Sequence, residues 1–347
     1  MPMSSPAATD PHPADLEAAR RLDEAAFVRV VAPHRAGLQA HCYRMLGSAA
    51  DAEDALQEAM LRAWRGLPGF EGRSSLRSWL YRIATNVCLR MIERRPPRVL
   101  PADHGPPSDP HDRPEGPLAE PAWLEPYPDE AIADGLASPE ARYEQRESVE
   151  LAFVAALQHL PHRQRAVLLL RDVLGFAPAE IATAIGASPA AVSSILQRAH
   201  DAVEQRLPAR SQQATLRSIG DAPLRALVKR YVQAWEDGDV PAIAALLTAD
   251  ASFAMPPRPS WYRGRESIAA FLAAWPMSGS RRWRAVPARA NGQLAFGFYL
   301  SDGRGRPYAA HAIELLSVDG GAQIAGVTTF HTPAAFARFG LPAQLAP

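Results

Sequence analysis

Twelve of the 33 prolines in this 347-residue chain fall between residues 96 and 140. Proline removes a backbone donor and breaks helix interiors, so no regular element runs through this stretch. The same neighbourhood is the most acidic part of the chain. Residues 99–148 hold 12 acids against 3 arginines, a net of −9. A chain interrupted in this way divides into blocks on either side, and the stretch at 97–140 reads as an extended, solvated linker. Its aromatic run, residues 123–130 (WLEPYPDE), is the part suited to docking on a folded surface.

The net charge of zero hides an alternation of blocks. Residues 1–19 carry −3, residues 20–98 carry 14 bases against 8 acids, and residues 211–347 carry 14 against 9. Basic blocks flanking an acidic tether fit a nucleic-acid partner better than the average suggests. No stretch approaches the roughly 20 apolar residues needed to span a bilayer, and the first twenty residues lack a signal-peptide pattern. The two cysteines, Cys42 and Cys88, sit in apolar helical patterns outside any CxxC pair, which reads as buried thiols in a reducing compartment.

Residues 24–96 predict a helical domain after a disordered tail at 1–23. Asp51 to Arg65 forms one helix, with Leu56, Met60, Ala63 and Trp64 near one stripe. Ser74 and Ser75 are cap candidates for the next. There Leu76, Trp79, Leu80, Ile83, Ala84, Val87 and Met91 recur at three- and four-residue steps until Pro96-Pro97. Residues 141–207 predict a second helical domain, with helices at 142–160, 162–173, 178–185 and 189–206. Within it, Ala182, Gly186 and Val192 fall where a helix-turn-helix needs a small residue, a turn glycine and an apolar plug. Such a motif presents its second helix to a major groove.

Residues 208–221 read as a shorter linker. From 222 to 340 the texture becomes α+β. A helical stripe runs Leu224, Leu227, Val228, Tyr231, Val232, Trp235, and helices follow near 241–247 and 266–275. Strand-like runs follow at 282–290, 293–301, 309–318 and 323–330, separated by turns at Asn291-Gly292, Asp302-Gly303 and Asp319-Gly320-Gly321. Trp235, Phe253, Trp261, Tyr262, Phe298 and His311 are candidates to line an apolar pocket, open to an unidentified small ligand. Asp250, His311 and His331 are the candidate acid/base groups, though a lone strand histidine is more often structural. No metal-ligand cluster, Gly-rich phosphate loop or nucleophile elbow stands out, so no cofactor is expected.

With these residues in view, the run 51–86 (DAEDALQEAMLRAWRGLPGFEGRSSLRSWLYRIATN) resembles the sigma-2 domain of extracytoplasmic-function (ECF) sigma factors. The run 157–203 resembles their sigma-4 domain, and residues 222–340 resemble the SnoaL-like cone-shaped barrel appended to some of them. The resemblance implies two all-α sigma domains plus an α+β domain, and a non-catalytic cytoplasmic protein. It also implies core RNA polymerase and promoter DNA as partners.

Residue by residue, the resemblance implies that the Asp51–Trp64 helix meets polymerase, where Asp54, Gln57 and Glu58 form its polar surface. It implies that the next helix meets the melted minus-ten element, where Arg77, Arg82, Asn86 and Arg90 form its polar face. It implies that Pro189–His200 reads the minus-thirty-five element through Ser193, Ser194, Gln197 and Arg198. Members of the family often carry Arg at the positions of Ser193 and Ile195, so this helix is unusually poor in bases. Arg163, Arg165 and Arg171 are candidates to compensate on phosphates. The acidic linker is expected to thread the polymerase channels, and the C-terminal domain to regulate the sigma domains in cis. A ligand-sensing helix-turn-helix regulator without polymerase binding, and a SnoaL-like enzyme on a DNA tether, are the competing readings.

Overall fold

The computed structural model describes residues 12–119, 122–132, 146–303 and 305–347. The chain divides into two compact units, one of residues 1–98 with 130–208 and one of residues 99–129 with 209–347.

The first unit is all-helical among the described residues. Residues 13–20, expected in a disordered tail, form helix α1 (Pro13–Arg20), because Ala19 is fully buried and Arg20 reaches the Phe70 carbonyl. Residues 1–11 of that tail lie outside the described residues. Helix α2 (Glu24–Leu46) starts where the Asp23 carboxylate accepts the Ala26 amide at 2.8 Å, and it ends at Gly47, whose φ of 68° suits glycine. Helix α3 (Ala49–Gly66) is capped by Ser48 and helix α4 (Leu76–Ile92) by Ser75. These helices close on Leu38, Tyr43, Leu56, Leu80 and Val87. Cys42 and Cys88 are buried free thiols, and the hydrogen bond of the Cys88 thiol to Cys42, with burial, holds that thiol well above its ordinary range.

Helices α5 (Leu151–Gln158) and α6 (His162–Leu168) follow, the latter running into a π-helical turn at Leu169–Val173. Residues 142–145 of the helix expected at 142–160 lie outside the described residues. Helices α7 (Pro178–Ile185) and α8 (Pro189–Glu204) are bent 94° from one another around Gly186, whose φ is 63°. Ala182 and Val192 are buried at this elbow. Two buried guanidiniums join the halves of the unit. Arg44 donates to the Ser148 carbonyl at 3.1 Å and hydroxyl at 2.7 Å. Arg165 donates to the carbonyls of Met45, Gln158 and Leu160 and to the Gln158 side chain. A charge taken from water is tolerable only when hydrogen-bonded, and these bonds engage both terminal nitrogens of Arg165, leaving its buried Nε without a partner.

The second unit is α+β. Residues 212–219, expected in a linker, form helix α9 (Gln212–Ile219) with Leu216 buried, and the Gln212 amide pairs with both backbone groups of Val318. Helices α10 (Asp221–Asp237), α11 (Val240–Leu246) and α12 (Arg265–Ala274) accompany strands β1 (Leu247–Ala254), β2 (Trp261–Arg263), β3 (Arg282–Ala290), β4 (Gln293–Ser301), β5 (Tyr308–Val318) and β6 (Ile324–Phe330), with a short β7 (Gln344–Leu345). The sheet order is β2-β1-β6-β5-β4-β3, with β7 on β5. The β3–β6 ladders are antiparallel as the turns require, whereas β1 joins β6 in parallel. Tyr231 and Trp235 of α10 pack on Phe296 and Phe298 of β4.

Residues 99–129 belong to this unit. They are not a free spacer along their described length: Trp123, Leu124 and Tyr127 are buried, Tyr127 fully. The Tyr127 amide donates to the Asn291 side chain at 2.8 Å, the Asn291 amide returns a bond to the Tyr127 carbonyl at 2.9 Å, and Gly292 donates to Asp129 at 2.8 Å. Prolines limit helices and ladders but not side-chain burial, which is why this segment docks with little more than a one-turn helix at Pro101–His104 and single β-bridges.

Candidate nucleic-acid interface and ligand cavity

Helix α4 carries the expected polar face, but part of it is already engaged. Arg90 is exposed, while Arg77, Arg82 and Asn86 are half-buried. Arg77 donates to the Leu174 carbonyl at 2.9 Å, and its guanidinium lies 4.5 Å from the Phe176 ring centre and 5.2 Å from that of Tyr81. The Asn86 amide donates to Arg82 O at 2.9 Å and to Ala184 O, on α7, at 3.3 Å. Ser78 donates to Glu180 of α7 at 2.6 Å. Nucleic acid reaching Arg77 or Asn86 must therefore displace the helix-turn-helix half of the unit.

On α3, Asp54 and Gln57 are exposed, and Glu58 pairs with Arg62 at 2.5 Å one turn away. On α8, Ser193, Ser194, Gln197 and Arg198 are all exposed. Gln197 bonds Asp201 at 3.0 Å, and Arg198 has no bond or ion pair among the described residues. His200 is paired with Asp172 at 2.6 Å. Of the three arginines expected on phosphates, one is buried. Arg165 is a core residue, 3% exposed, and burial lowers its guanidinium to about 10. Arg163 donates to the Ile185 carbonyl at 2.6 Å and Arg171 to that of Phe176 at 3.1 Å. Burial withdraws Arg165 from any groove, whereas Arg163 is exposed and Arg171 half-buried.

The second unit encloses a cavity of about 580 Å³ between helices and sheet. Trp235, Phe253, Phe298 and His311 line it as expected. Trp261 and Tyr262 do not. The Trp261 indole donates to the Gly105 carbonyl at 2.8 Å, under the connector, and Tyr262 stacks on Phe271 with ring centres 4.2 Å apart. His311 reaches the cavity beside Ala312 because the β4–β5 register shifts at Phe298/Tyr299, so a bulge turns it inward. Its ring lies 4.9 Å from that of His331. Burial lowers His311 to about 4 and His331 to about 3, so both are neutral imidazoles at pH 7. Asp250 is exposed on β1, in the irregular stretch of the β1–β6 ladder between Leu247 and Ser252, accepts the Thr248 hydroxyl at 3.0 Å, and does not line the cavity.

The cavity's acid is Glu314, which sequence reasoning passed over. It is 1% exposed, accepts the Tyr231 hydroxyl at 2.6 Å and the Thr329 hydroxyl at 2.7 Å, and burial pushes its carboxyl up to about 7. The signal was present as a lone acid inside the apolar run 312–316 (AIELL).

The sequence matches three family descriptions in order: Sigma-70 region 2 at residues 30–96, Sigma-70, region 4 at 150–201, and SnoaL-like domain at 228–327. It is 43% identical to the ECF RNA polymerase sigma factor SigG of Mycobacterium tuberculosis over 90% of this chain and 83% of that protein. The chain belongs to the ECF sigma factors. It is also 30% identical to the RNA polymerase sigma-H factor of Pseudomonas aeruginosa, over 55% of this chain and 91% of that one. The crystal structure of the M. tuberculosis ECF sigma factor SigJ shares the fold, with a TM-score of 0.56, 23% identity, and coverage of 89% of this chain and 97% of that one.

As a sigma factor, the chain works with core RNA polymerase and promoter DNA. In this sigma factor, the region 2 match covers α2–α4 from residue 30, the region 4 match covers α5–α8 to residue 201, and residues 99–129 lie in the connector between them. Among the described residues, no single helix is long and apolar enough to cross a membrane.

Proposed function

We propose that this cytoplasmic sigma factor is restrained in cis by its C-terminal unit, which holds the connector away from polymerase. In this reading α3 meets core polymerase through Asp54, Gln57 and Glu58, and α4 engages the melted minus-ten element through Arg77, Arg82, Asn86 and Arg90. Ser193, Ser194, Gln197 and Arg198 of α8 face the minus-thirty-five element. The exposure of Asp54, Gln57 and the four α8 residues supports their part. The Arg77 and Asn86 contacts with the region 4 half support a resting state that polymerase must open.

The observation that carries the restraint is the anchorage of the connector on the C-terminal unit. Beyond the Tyr127–Asn291 pair, Ser108 donates to the Trp261 carbonyl at 2.7 Å and Leu118 to that of Pro257 at 2.9 Å. A connector bound there is unavailable to polymerase, so polymerase affinity falls by whatever free energy holds it. The C-terminal unit acts by binding and not by turnover: both oxygens of its one buried acid among the described residues of the cavity, Glu314, are held by protein hydroxyls.

Run-off transcription with core polymerase tests this, using Asn291→Gly. Asn291 has φ 54°, which glycine adopts freely, so the change removes the acceptor for Tyr127 and leaves the turn in place. The variant is expected to bind core polymerase and initiate at least threefold better at limiting concentration. Hydrogen exchange should show residues 122–129 opened. An opened connector with unchanged core affinity, rate and start site sinks the cis restraint.

A further inference from the structure

The cavity of the C-terminal unit joins two features that a sealed core does not combine. Its walls are aromatic, with Trp235, Phe253, Trp283 and Phe298 among them, yet three guanidiniums border it: Arg113, Arg258 and Arg281. None of the three has an ion pair among the described residues; Arg258 and Arg281 donate only to the carbonyls of Glu115 and Trp275. His331, also on the wall, has a buried Nε2 with no hydrogen-bond partner. Guanidiniums with donors to spare beside an apolar chamber leave an unmet demand for negative charge. A cation is repelled, and a neutral hydrophobe satisfies the rings alone. At about 580 Å³ the space matches that of a small organic molecule.

Arg113 and Pro114 do not come from the barrel. They belong to the connector, which is pinned on both sides of them. Trp275 donates to the Pro110 carbonyl at 3.3 Å, and Glu115 donates to the Ser260 hydroxyl at 3.0 Å and accepts from Arg258 at 2.7 Å. The segment 110–115 is therefore a strap across one wall, and Arg258 serves both strap and cavity.

We propose that this cavity binds an amphipathic organic acid, its apolar body among the aromatic rings and its carboxylate at Arg113 and Arg258, with the connector segment 110–115 as the lid. Occupancy links the strap to the barrel through one anion, so the ligand tightens the connector's hold. The binding site stands whether or not the connector governs initiation, and binding and transcription assays separate the two.

The test uses the full chain and the aromatic anion 1-anilinonaphthalene-8-sulfonate as a fluorescent probe, with decanoate and decanol as competitors of equal chain length. One probe per chain is expected. Decanoate should displace it at least tenfold more tightly than decanol, and amide hydrogen exchange across residues 111–115 should slow at least fivefold when decanoate is bound. Arg113→Gln and Arg258→Gln, one exposed and one half-buried, should each erase most of the decanoate advantage with thermal melting unchanged. Ala312→Trp, which fills the chamber, should abolish probe binding. Equal displacement by decanol, or a decanoate advantage untouched in both glutamine variants, overturns the anion assignment. Absence of saturable probe binding overturns the site.

Discussion

Glu314→Gln should change how the stability of the C-terminal unit depends on pH. Glutamine has the shape of the acid and can keep both the Tyr231 and Thr329 hydroxyls bonded, so packing is preserved. What it removes is a proton-binding site. The carboxyl is raised from 4.5 to about 7 in the folded unit. The folded state therefore holds the proton more tightly than the unfolded chain. The resulting stability is full below pH 4.5 and is lost as pH rises through 7. Between pH 5 and pH 8 the loss from this one group comes to about 2.5 kcal/mol. His311 and His331 act in the opposite sense: lowered to about 4 and about 3, they contribute stability above pH 6.5 that is lost as pH falls. The wild type and Glu314→Gln share the histidine limb, so their difference isolates the acid. Urea unfolding at pH 5, 6.5 and 8, read by hydrogen exchange of β5 amides, should show the variant gaining on the wild type by about 2–3 kcal/mol toward pH 8. Parallel stability curves would refute a protonated Glu314.

Two further predictions concern region 2. Asn86→Ala should impair open-complex formation, measured by permanganate reactivity of promoter thymines, more than it impairs core binding; equal losses in both assays refute a role in strand opening. Changing Gln57 and Glu58 together to Arg should weaken core-polymerase binding at least tenfold in a pull-down titration while leaving the circular dichroism melt within a few degrees, since Gln57 is exposed and Glu58 makes one surface pair. Undiminished core affinity rejects this face as the interface.

The β3–β6 strands were legible within one residue, because alternating side chains and an Asn291-Gly292 turn leave one register. The helix-turn-helix was legible from three residue types at fixed spacing. The pairing of β1 with β6 was not: Asp250 and Thr248 interrupt its pattern, and parallel partners lie far apart in sequence. Arg165 looked like a groove arginine because sequence cannot distinguish a base that meets phosphates from one that meets helix ends. The connector was half legible. Its acids and prolines argued for solvation, and only Trp123, Leu124 and Tyr127 told of the surface it occupies. Of the expected cavity residues, Trp261 and Tyr262 were misplaced because aromatic character marks burial without saying on which side of a strand.

Tyr127 and the Asn291 that receives it are 164 residues apart. At bacterial synthesis rates of about 5–20 residues per second, a growing chain needs on the order of 8–30 s to make the second after the first. Region 2 is complete before that interval opens and region 4 is made within it, while the segment joining them has nothing to settle on. A newborn chain, or one cut short before the barrel is complete, is in this respect unlike the finished protein. Its age on the ribosome, and not only its surroundings, sets whether the joining segment is held.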